Sequence, residues 1–214
     1  MTIVLIHGAA TRADVWHPLV AELGELDRVI VPQRDYSGDW GQELGALEPL
    51  CTGALVVGVS GGATLGLELA LRGVPLRGAV LHEPAAGSYA PGLLDHVAVG
   101  WRENGVDGFG AALYGPAWTR ALSPGAGAVA RDFAMFRRFE PYAPAAALTH
   151  VLLTSGERSP ESRQASVRAL SRLIGARTTL VPGASHAVHL EAAAALASLV
   201  RSEHSRSPAP ALRS

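Results

Sequence analysis

The sequence predicts an α/β fold built on a wholly parallel sheet of six strands. Six short apolar runs lie along the chain, and most are separated by segments whose apolar residues recur with a helical period. Runs such as 3–6 and 54–57 do not alternate with polar residues, which is typical of parallel strands covered by helices on both faces. A chain of 214 residues is long enough for one such core and too short for two full domains.

Strands and helices alternate regularly over the first 84 residues. Strands are predicted at 3–6, 28–31, 54–57 and 78–81, and helices at 16–26, 42–50 and 63–71. A long stretch without strand-like runs follows, with helical periods at 93–101, 106–114 and 129–139. Strands return at 151–154 and 178–181, each followed by a helix, at 161–174 and 187–201. We therefore expect a core of residues 1–84 and 148–203 with a helical cap inserted at 85–147.

The two ends of the chain carry predictions about location and order. Met1 leads directly into an apolar strand, with no basic segment or cleavage site typical of a signal peptide. No uncharged apolar stretch approaches the ~20 residues that span a bilayer, so we expect a cytoplasmic protein that does not bind membranes. Residues 204–214 have nothing to bury and are expected to form a disordered tail.

Composition excludes several kinds of chemistry. All 18 basic residues are arginines, so the chain has no lysine for a Schiff base or a Walker-type phosphate site. A net charge of −1 without a basic cluster argues against a nucleic-acid partner. The single cysteine, Cys51, excludes an internal disulfide and a cysteine metal cluster. We expect no metal and no cofactor, and the low charge is compatible with a homodimer.

A serine between glycines marks the turn after the third strand. The segment Gly58-Val59-Ser60-Gly61-Gly62 has the G-x-S-x-G pattern of a nucleophile elbow. Such a tight turn brings the following helix against the strand, where a Cβ at position 58 or 62 would collide. Ser60 would then present its hydroxyl above a helix N-terminus, whose N–H groups can stabilise an oxyanion. A Gly/Ser-rich turn without catalytic function is the alternative.

Polar residues follow four of the predicted strands. Residues 7–9 (His-Gly-Ala) follow the first strand, Ser60 the third, Glu83 the fourth and His186 the last. Ligands bind at the carboxyl ends of the strands in open α/β sheets, so one topology would bring all four together. A serine hydroxyl needs a base to become nucleophilic, and neutral imidazole is the suitable base near pH 7.

These residues, in this order, resemble the α/β-hydrolase superfamily. The resemblance covers nearly the whole chain and rests on His7-Gly8, the elbow at 58–62 and the segment 182–186, Pro-Gly-Ala-Ser-His. Within the superfamily the chain looks like the capped branch, which contains small-molecule esterases, carbon–carbon bond hydrolases, haloalkane dehalogenases and cofactor-free perhydrolases. The resemblance implies an α/β-hydrolase fold whose usual first hairpin is missing.

The resemblance also implies roles for the residues at the strand ends. Ser60 would be the nucleophile and His186 its base, and the backbone N–H groups of Ala9 and Gly61 would form the oxyanion hole. His7 is expected to make a structural contact under the oxyanion loop.

The triad acid is the point at which the chain departs from the family. Family members most often place it after the strand that follows the cap, where this chain has Ser159. Glu83 is the candidate we favour, because haloalkane dehalogenases and their relatives carry the acid at the corresponding strand end. Glu157 and the absence of a functional acid are the two alternatives.

A serine at the elbow favours acyl chemistry over dehalogenation, which requires an aspartate nucleophile. The leading hypothesis is a serine hydrolase that cleaves a small, mostly apolar ester, thioester or lactone through an acyl-enzyme. One alternative is a cofactor-free cyclase or lyase acting on a hydrophobic biosynthetic intermediate. Another is a non-catalytic ligand-binding protein on the same fold, which Ser159 would favour.

Overall fold

The computed structural model describes residues 2–26 and 28–206, and its centre is one sheet of six strands. They are β1 (Thr2–Ile6), β2 (Arg28–Ile30), β3 (Leu55–Val59), β4 (Gly78–His82), β5 (Val151–Gly156) and β6 (Arg177–Val181). Their order across the sheet is β2-β1-β3-β4-β5-β6, and each neighbouring pair is parallel. The predicted fold class is therefore confirmed.

Helices lie on both faces of this sheet. In chain order they are α1 (His17–Leu23), α2 (Trp40–Cys51), α3 (Gly61–Leu71), α4 (Asp95–Tyr114), α5 (Ala126–Phe136), α6 (Glu161–Ile174), α7 (Val188–Glu191) and α8 (Ala193–Ser205). Neighbouring residues of one strand enter different apolar clusters, as Val56 and Val57 do. Because successive strand side chains point to opposite faces, the sheet is buried on both sides, which explains its unbroken apolar runs.

The strand register brings the loops of the predicted site to one edge. The residues paired near the carboxyl ends are Ile6 with Gly58, Val59 with His82, His82 with Thr154, and Gly156 with Val181. The loops that follow β1, β3, β4, β5 and β6 therefore leave the sheet at this same edge. Within the described residues, no helix combines the length and apolarity that crossing a membrane requires.

The segment between β4 and β5 is largely helical. Its two main helices are α4 and α5, and α4 is interrupted at Asn104 and Gly105, which have non-helical backbone angles. The interruption separates the two helical stretches that the sequence predicts at 93–101 and 106–114. Gly105 has a φ of 54°, a left-handed conformation that glycine adopts without a Cβ penalty.

The carboxyl-terminal region differs from the prediction in two respects. The helix predicted at 187–201 is divided into α7 and α8 at Ala192, where φ is −142°. The tail predicted at 204–214 begins inside α8, which continues to Ser205 because Glu203 holds its last turn. The Glu203 carboxylate accepts a hydrogen bond of 3.0 Å from Arg177 of β6 and lies 3.3 Å from the Arg206 guanidinium. The rest of the predicted tail, 207–214, lies outside the described residues.

Candidate active site

Ser60 occupies a strained turn between β3 and α3. Its backbone angles are φ 57° and ψ −121°, a combination that costs energy in any residue with a Cβ. The flanking glycines are required by close packing: a Cβ on Gly58 would lie 2.5 Å from the Gly62 carbonyl oxygen, and one on Gly62 would overlap the Ile6 carbonyl. The collision predicted for positions 58 and 62 is therefore present. The strained turn holds Ser60 at the carboxyl edge of the sheet.

Glu83 and His186 are joined by a short, buried hydrogen bond. His186 Nδ1 lies 2.7 Å from Glu83 Oε2, and neither side chain is more than 6% exposed. A carboxylate can only accept, so the Nδ1–H donates and Nε2 is left as the unprotonated nitrogen of the neutral ring. His186 Nε2 is itself buried and makes no hydrogen bond within the described residues. This is the tautomer that a general base requires.

The Glu83 side chain reaches from the end of β4 to the end of β5. Its other oxygen, Oε1, accepts a hydrogen bond of 3.0 Å from the backbone N–H of Gly156. Glu83 also has a φ of 48°, so its backbone, like that of Ser60, is held in a left-handed conformation. The carboxylate thus arrives from β4 at the place where the loop after β5 begins.

Neither of the two other positions considered for the acid makes a hydrogen bond to His186 in the described part of the chain. Ser159 is buried, and its hydroxyl has no hydrogen-bond partner among the described residues. Glu157 is exposed, and its carboxylate accepts a hydrogen bond of 2.8 Å from the backbone N–H of Gly183. Of the two candidate carboxylates, only Glu83 forms a hydrogen bond with the imidazole.

Burial and nearby charge set the protonation of this pair. Burial lowers the pKa of the His186 imidazole to about 4, with a further contribution from the Arg163 guanidinium, and the hydrogen bond to Glu83 only partly opposes them. Burial alone would raise the pKa of Glu83, but its hydrogen bond and charge interaction with His186 hold that pKa well below its ordinary value. The resting pair is therefore a carboxylate and a neutral imidazole.

A second histidine supports the loop that carries His186. His82 Nε2 lies 3.0 Å from the Ser185 carbonyl oxygen, and its Nδ1 lies 2.9 Å from the Thr154 hydroxyl. The carbonyl can only accept, so His82 carries its proton on Nε2 and Nδ1 accepts from the hydroxyl. Sequence reasoning did not assign His82 a role, although its position directly before Glu83 is a signal that could have indicated one.

The loop after β1 is fixed by hydrogen bonds to the Gly8 carbonyl. That oxygen lies 3.2 Å from His7 Nδ1 and 3.0 Å from the Thr11 hydroxyl, while His7 Nε2 accepts from the Arg34 backbone N–H at 3.2 Å. Burial, followed by the Arg34 charge, lowers the pKa of His7 to about 3, so the ring is neutral. In a planar trans peptide the N–H points away from the carbonyl, so these contacts also orient the Ala9 N–H.

Two aromatic residues from the segment between β4 and β5 hold the same loop. The Tyr114 hydroxyl donates to the Ala9 carbonyl at 2.9 Å, and Trp118 Nε1 donates to the Ala10 carbonyl at 2.8 Å. The Tyr114 ring also stacks on His186, with centroids 5.4 Å apart. Burial raises the pKa of Tyr114, and the nearby side chains of Ser60 and Thr11 partly offset this.

Tyr114 and Trp118 lie in the segment 85–147, which the sequence predicts as a helical cap. Tyr114 contacts His186, 72 residues further along the chain, and donates to Ala9, from which it is separated by 105 residues. No local pattern distinguishes it from its aromatic neighbours. Its place in the site follows only from the fold.

A small, mostly apolar cavity of about 30 Å³ lies beside Ser60. Three aromatic residues of the segment between β4 and β5 line it: Phe109, Phe133 and Phe136. Phe136 packs so closely on Gly61 that a Cβ at position 61 would overlap its ring. Ala9, Ser60 and Gly61 lie on the wall of the same cavity.

A buried ionic cluster connects α5 to the core. The Arg34 guanidinium donates to both oxygens of Asp132 on α5, at 3.1 and 2.7 Å, and to Glu43 on α2 at 2.9 Å. The three side chains are no more than 2% exposed. Burial alone would lower the pKa of Arg34, but Asp132 and Glu43 raise it above its ordinary value. The cluster thus holds α5 while Phe136, four residues beyond Asp132, covers Gly61.

The described residues contain no group of three or more His, Cys, Asp or Glu side chains close enough together to bind a metal ion. Cys51 is buried at the end of α2, and burial raises the pKa of its thiol to about 12. A thiol that stays protonated is a poor nucleophile.

The sequence matches a known protein family over most of its length. Residues 3–199 match the Alpha/beta hydrolase family. No curated protein compared with the sequence matches it.

Several solved structures share the fold. A lipase-esterase related protein from Clostridium acetobutylicum superposes with a TM-score of 0.75 at 11% identity, covering 94% of this chain and 93% of that one. An alpha/beta hydrolase from Sphaerobacter thermophilus superposes with a TM-score of 0.70 at 23% identity, and the match covers 95% of this chain and 92% of that one. The enol-lactonase from Burkholderia xenovorans superposes with a TM-score of 0.68 at 22% identity, and the match covers 96% of this chain and 91% of that one.

Proposed function

The chain is an enzyme of the alpha/beta hydrolase family, and we propose that it is a serine hydrolase that cleaves a small, mostly apolar ester, thioester or lactone. The observation that carries the proposal is the 2.7 Å hydrogen bond between Glu83 and His186 at the edge where Ser60 stands on its strained turn. The apolar lining of the adjacent cavity favours the substrate class.

The proposed reaction begins with proton transfer from Ser60 to His186. With Nδ1–H donated to Glu83, the free Nε2 takes the Ser60 proton as the hydroxyl oxygen attacks the substrate carbonyl. The imidazolium that forms is stabilised by the Glu83 carboxylate. It then returns the proton to the leaving alcohol, thiol or ring oxygen as the carbonyl–heteroatom bond breaks. Water, deprotonated by the same nitrogen, hydrolyses the acyl-enzyme and regenerates Ser60.

The backbone N–H groups of Ala9 and Gly61 are proposed to bind the oxyanion. Gly61 is the first residue of α3, where no preceding helical carbonyl accepts its N–H. The contacts of the Gly8 carbonyl orient the Ala9 N–H before substrate arrives, so little reorganisation is needed in the transition state.

Residues 85–147 are proposed to act as a cap over this site. A cavity of about 30 Å³ has room for only one or two water molecules, so an ester enters only when the covering helices shift. Closure around the substrate would then exclude bulk water from the oxyanion and the imidazolium.

Labelling by a fluorophosphonate tests the proposal directly. We expect the wild-type protein to be labelled covalently and the Ser60→Ala variant to lose all labelling, because the probe reacts only with an activated serine. Ser159→Ala is the matched control, since Ser159 is a buried serine whose hydroxyl has no hydrogen-bond partner among the described residues. Intact mass spectrometry measures both. A folded wild-type protein that is not labelled would rule out the serine-hydrolase mechanism.

The rate of this labelling is expected to stay high in weakly acidic solution. The reaction needs neutral His186, whose pKa is lowered from 6.5 to about 4 by burial and then by Arg163. The rate constant should therefore fall tenfold per pH unit only below about pH 4, instead of below 6.5. Between pH 4 and 6.5 the histidines of the unfolded chain bind protons that the buried histidines of the folded protein do not, so the folded state loses stability in this range. Labelling rates are therefore compared only at pH values where circular dichroism shows the protein to be folded. A midpoint at 6.5 or above would contradict the lowered pKa.

A further inference from the structure

Arg163 places a guanidinium at the wall of the catalytic cavity. It lies in the first turn of α6, its side chain is 6% exposed, and it lines the cavity together with Ser60 and Glu83. Its Nη2 group is fully buried and makes no hydrogen bond within the described residues. Burying a charged donor without a hydrogen-bond acceptor is costly, so such a group in a binding cavity indicates a missing acceptor, for which an anion is best suited.

Glu83 does not satisfy this guanidinium. The nearest approach is 3.6 Å, from Arg163 Nε to Glu83 Oε2, which is too long for a hydrogen bond. Both Glu83 oxygens already accept hydrogen bonds, from His186 and from the Gly156 N–H. Arg163 and Glu83 are the only charged residues that line the cavity in the described part of the chain.

Arg163 also stands at the junction between the cavity and a larger outer groove of about 660 Å³. The groove lies between the segment 89–96, which leads into α4, and the helix α6. Leu93 and Arg163 line both spaces and therefore form the boundary between them. A substrate whose carbonyl lies at Ser60 could extend past Leu93 to this guanidinium.

We propose that Arg163 binds a carboxylate of the substrate, so that the preferred substrates are small esters with an apolar body and an anionic end. A carboxylate would supply the acceptors that Nη2 lacks, in the planar geometry that suits a guanidinium. The inference deepens the proposed function and rests on it for the position of the reacting carbonyl.

Paired esters test which end of the substrate carries the charge. The para-nitrophenyl half-ester of glutaric acid has a carboxylate in its acyl group, and para-carboxyphenyl pentanoate has one in its leaving group. Neutral para-nitrophenyl and phenyl pentanoates are the respective references. We expect wild-type kcat/KM to favour one anionic ester over its reference, and Arg163→Gln to reduce that preference by about 10- to 100-fold.

Two further variants separate charge recognition from other effects. Arg163→Lys should keep part of the preference, because it retains the charge without the planar fork. Arg172→Gln is the matched control, since it removes an exposed arginine from the same helix beside the outer groove. An equal loss on charged and neutral esters in Arg163→Gln would overturn the inference and leave Arg163 as a support for Glu83. No preference in the wild-type protein would overturn it as well.

Binding measured without turnover distinguishes this inference from the proposed function. Calorimetry with the monomethyl ester of glutaric acid compares Ser60→Ala with Ser60→Ala/Arg163→Gln, and methyl pentanoate serves as the neutral ligand. We expect the anionic ligand whose carboxylate lies at the preferred end, either this half-ester or para-carboxyphenyl pentanoate, to bind the first protein at least 10-fold more tightly than the second. Arg163-dependent binding without any esterase activity would refute only the hydrolase function. Esterase activity without Arg163-dependent binding of either anionic ligand, the glutarate half-ester or para-carboxyphenyl pentanoate, would refute only the anion site.

Discussion

Replacing Glu83 with glutamine is expected to lower kcat by about 10³- to 10⁴-fold, as loss of the triad acid does in serine proteases. The glutamine amide can donate to His186 Nδ1, which favours the tautomer with the proton on Nε2. That tautomer cannot accept the Ser60 proton. The amide also has no charge to stabilise the imidazolium. We therefore expect kcat to fall by a larger factor than the affinity for substrate.

Glu157→Gln is the matched control for this prediction. Glu157 lies one residue after Gly156, but its carboxylate is exposed and bonded to the Gly183 N–H, so we expect less than about a twofold change in kcat. The assay uses a para-nitrophenyl ester, with thermal unfolding followed in parallel because Glu83 also accepts from Gly156. Loss of activity in Glu157→Gln alone would identify Glu157 as the triad acid. Full activity in both variants would mean that neither glutamate is the acid.

Replacing Asp132 with leucine is expected to lower the free energy of unfolding by about 3 kcal/mol or more. Asp132 receives two hydrogen bonds from Arg34, and both side chains are at most 1% exposed. Leucine has no acceptor, so among the described residues Arg34 would keep only Glu43 as a charged partner in a buried site. Urea denaturation with a check of the m-value measures the change.

An exposed ion pair provides the contrast. Glu161 of α6 pairs with Arg168, and the two side chains are 76% and 47% exposed. Water and salt screen such a pair, so Glu161→Gln should leave the free energy of unfolding within about 0.5 kcal/mol of the wild-type value. A similarly small change in Asp132→Leu would mean that the Arg34 cluster does not anchor α5.

The strands and the elbow could be predicted because their signals are local. Unbroken apolar runs identified β1, β3, β4 and β5, and the glycines at 58 and 62 indicated a turn in which a Cβ would clash. Parallel topology then brought Ser60, Glu83 and His186 to one edge. The predicted ends of the helices were less exact. The helical period continues to Leu26, but α1 ends at Leu23 because Gly24 follows with a φ of 59°.

The choice between Glu83 and Glu157 could not be made from spacing alone. Spacing along the chain gives the order of strand ends but not the direction of a side chain. Glu83 reaches the imidazole because β4 and β5 are neighbours and a positive φ directs its side chain towards Gly156. Glu157, on the loop after β5, points to Gly183 instead.

The sequence by itself determined a parallel α/β core with a serine on a tight turn, a glutamate and a histidine after two later strands, and a helical stretch between these two residues. Only the tertiary structure decided what completes the site: Tyr114 on His186, the Arg34 cluster that holds α5, and the buried guanidinium of Arg163. The reason is physical. Periodicity and turn chemistry act between residues near in sequence, whereas Arg34 and Asp132, 98 positions apart, meet only after the sheet has formed and its helices have packed.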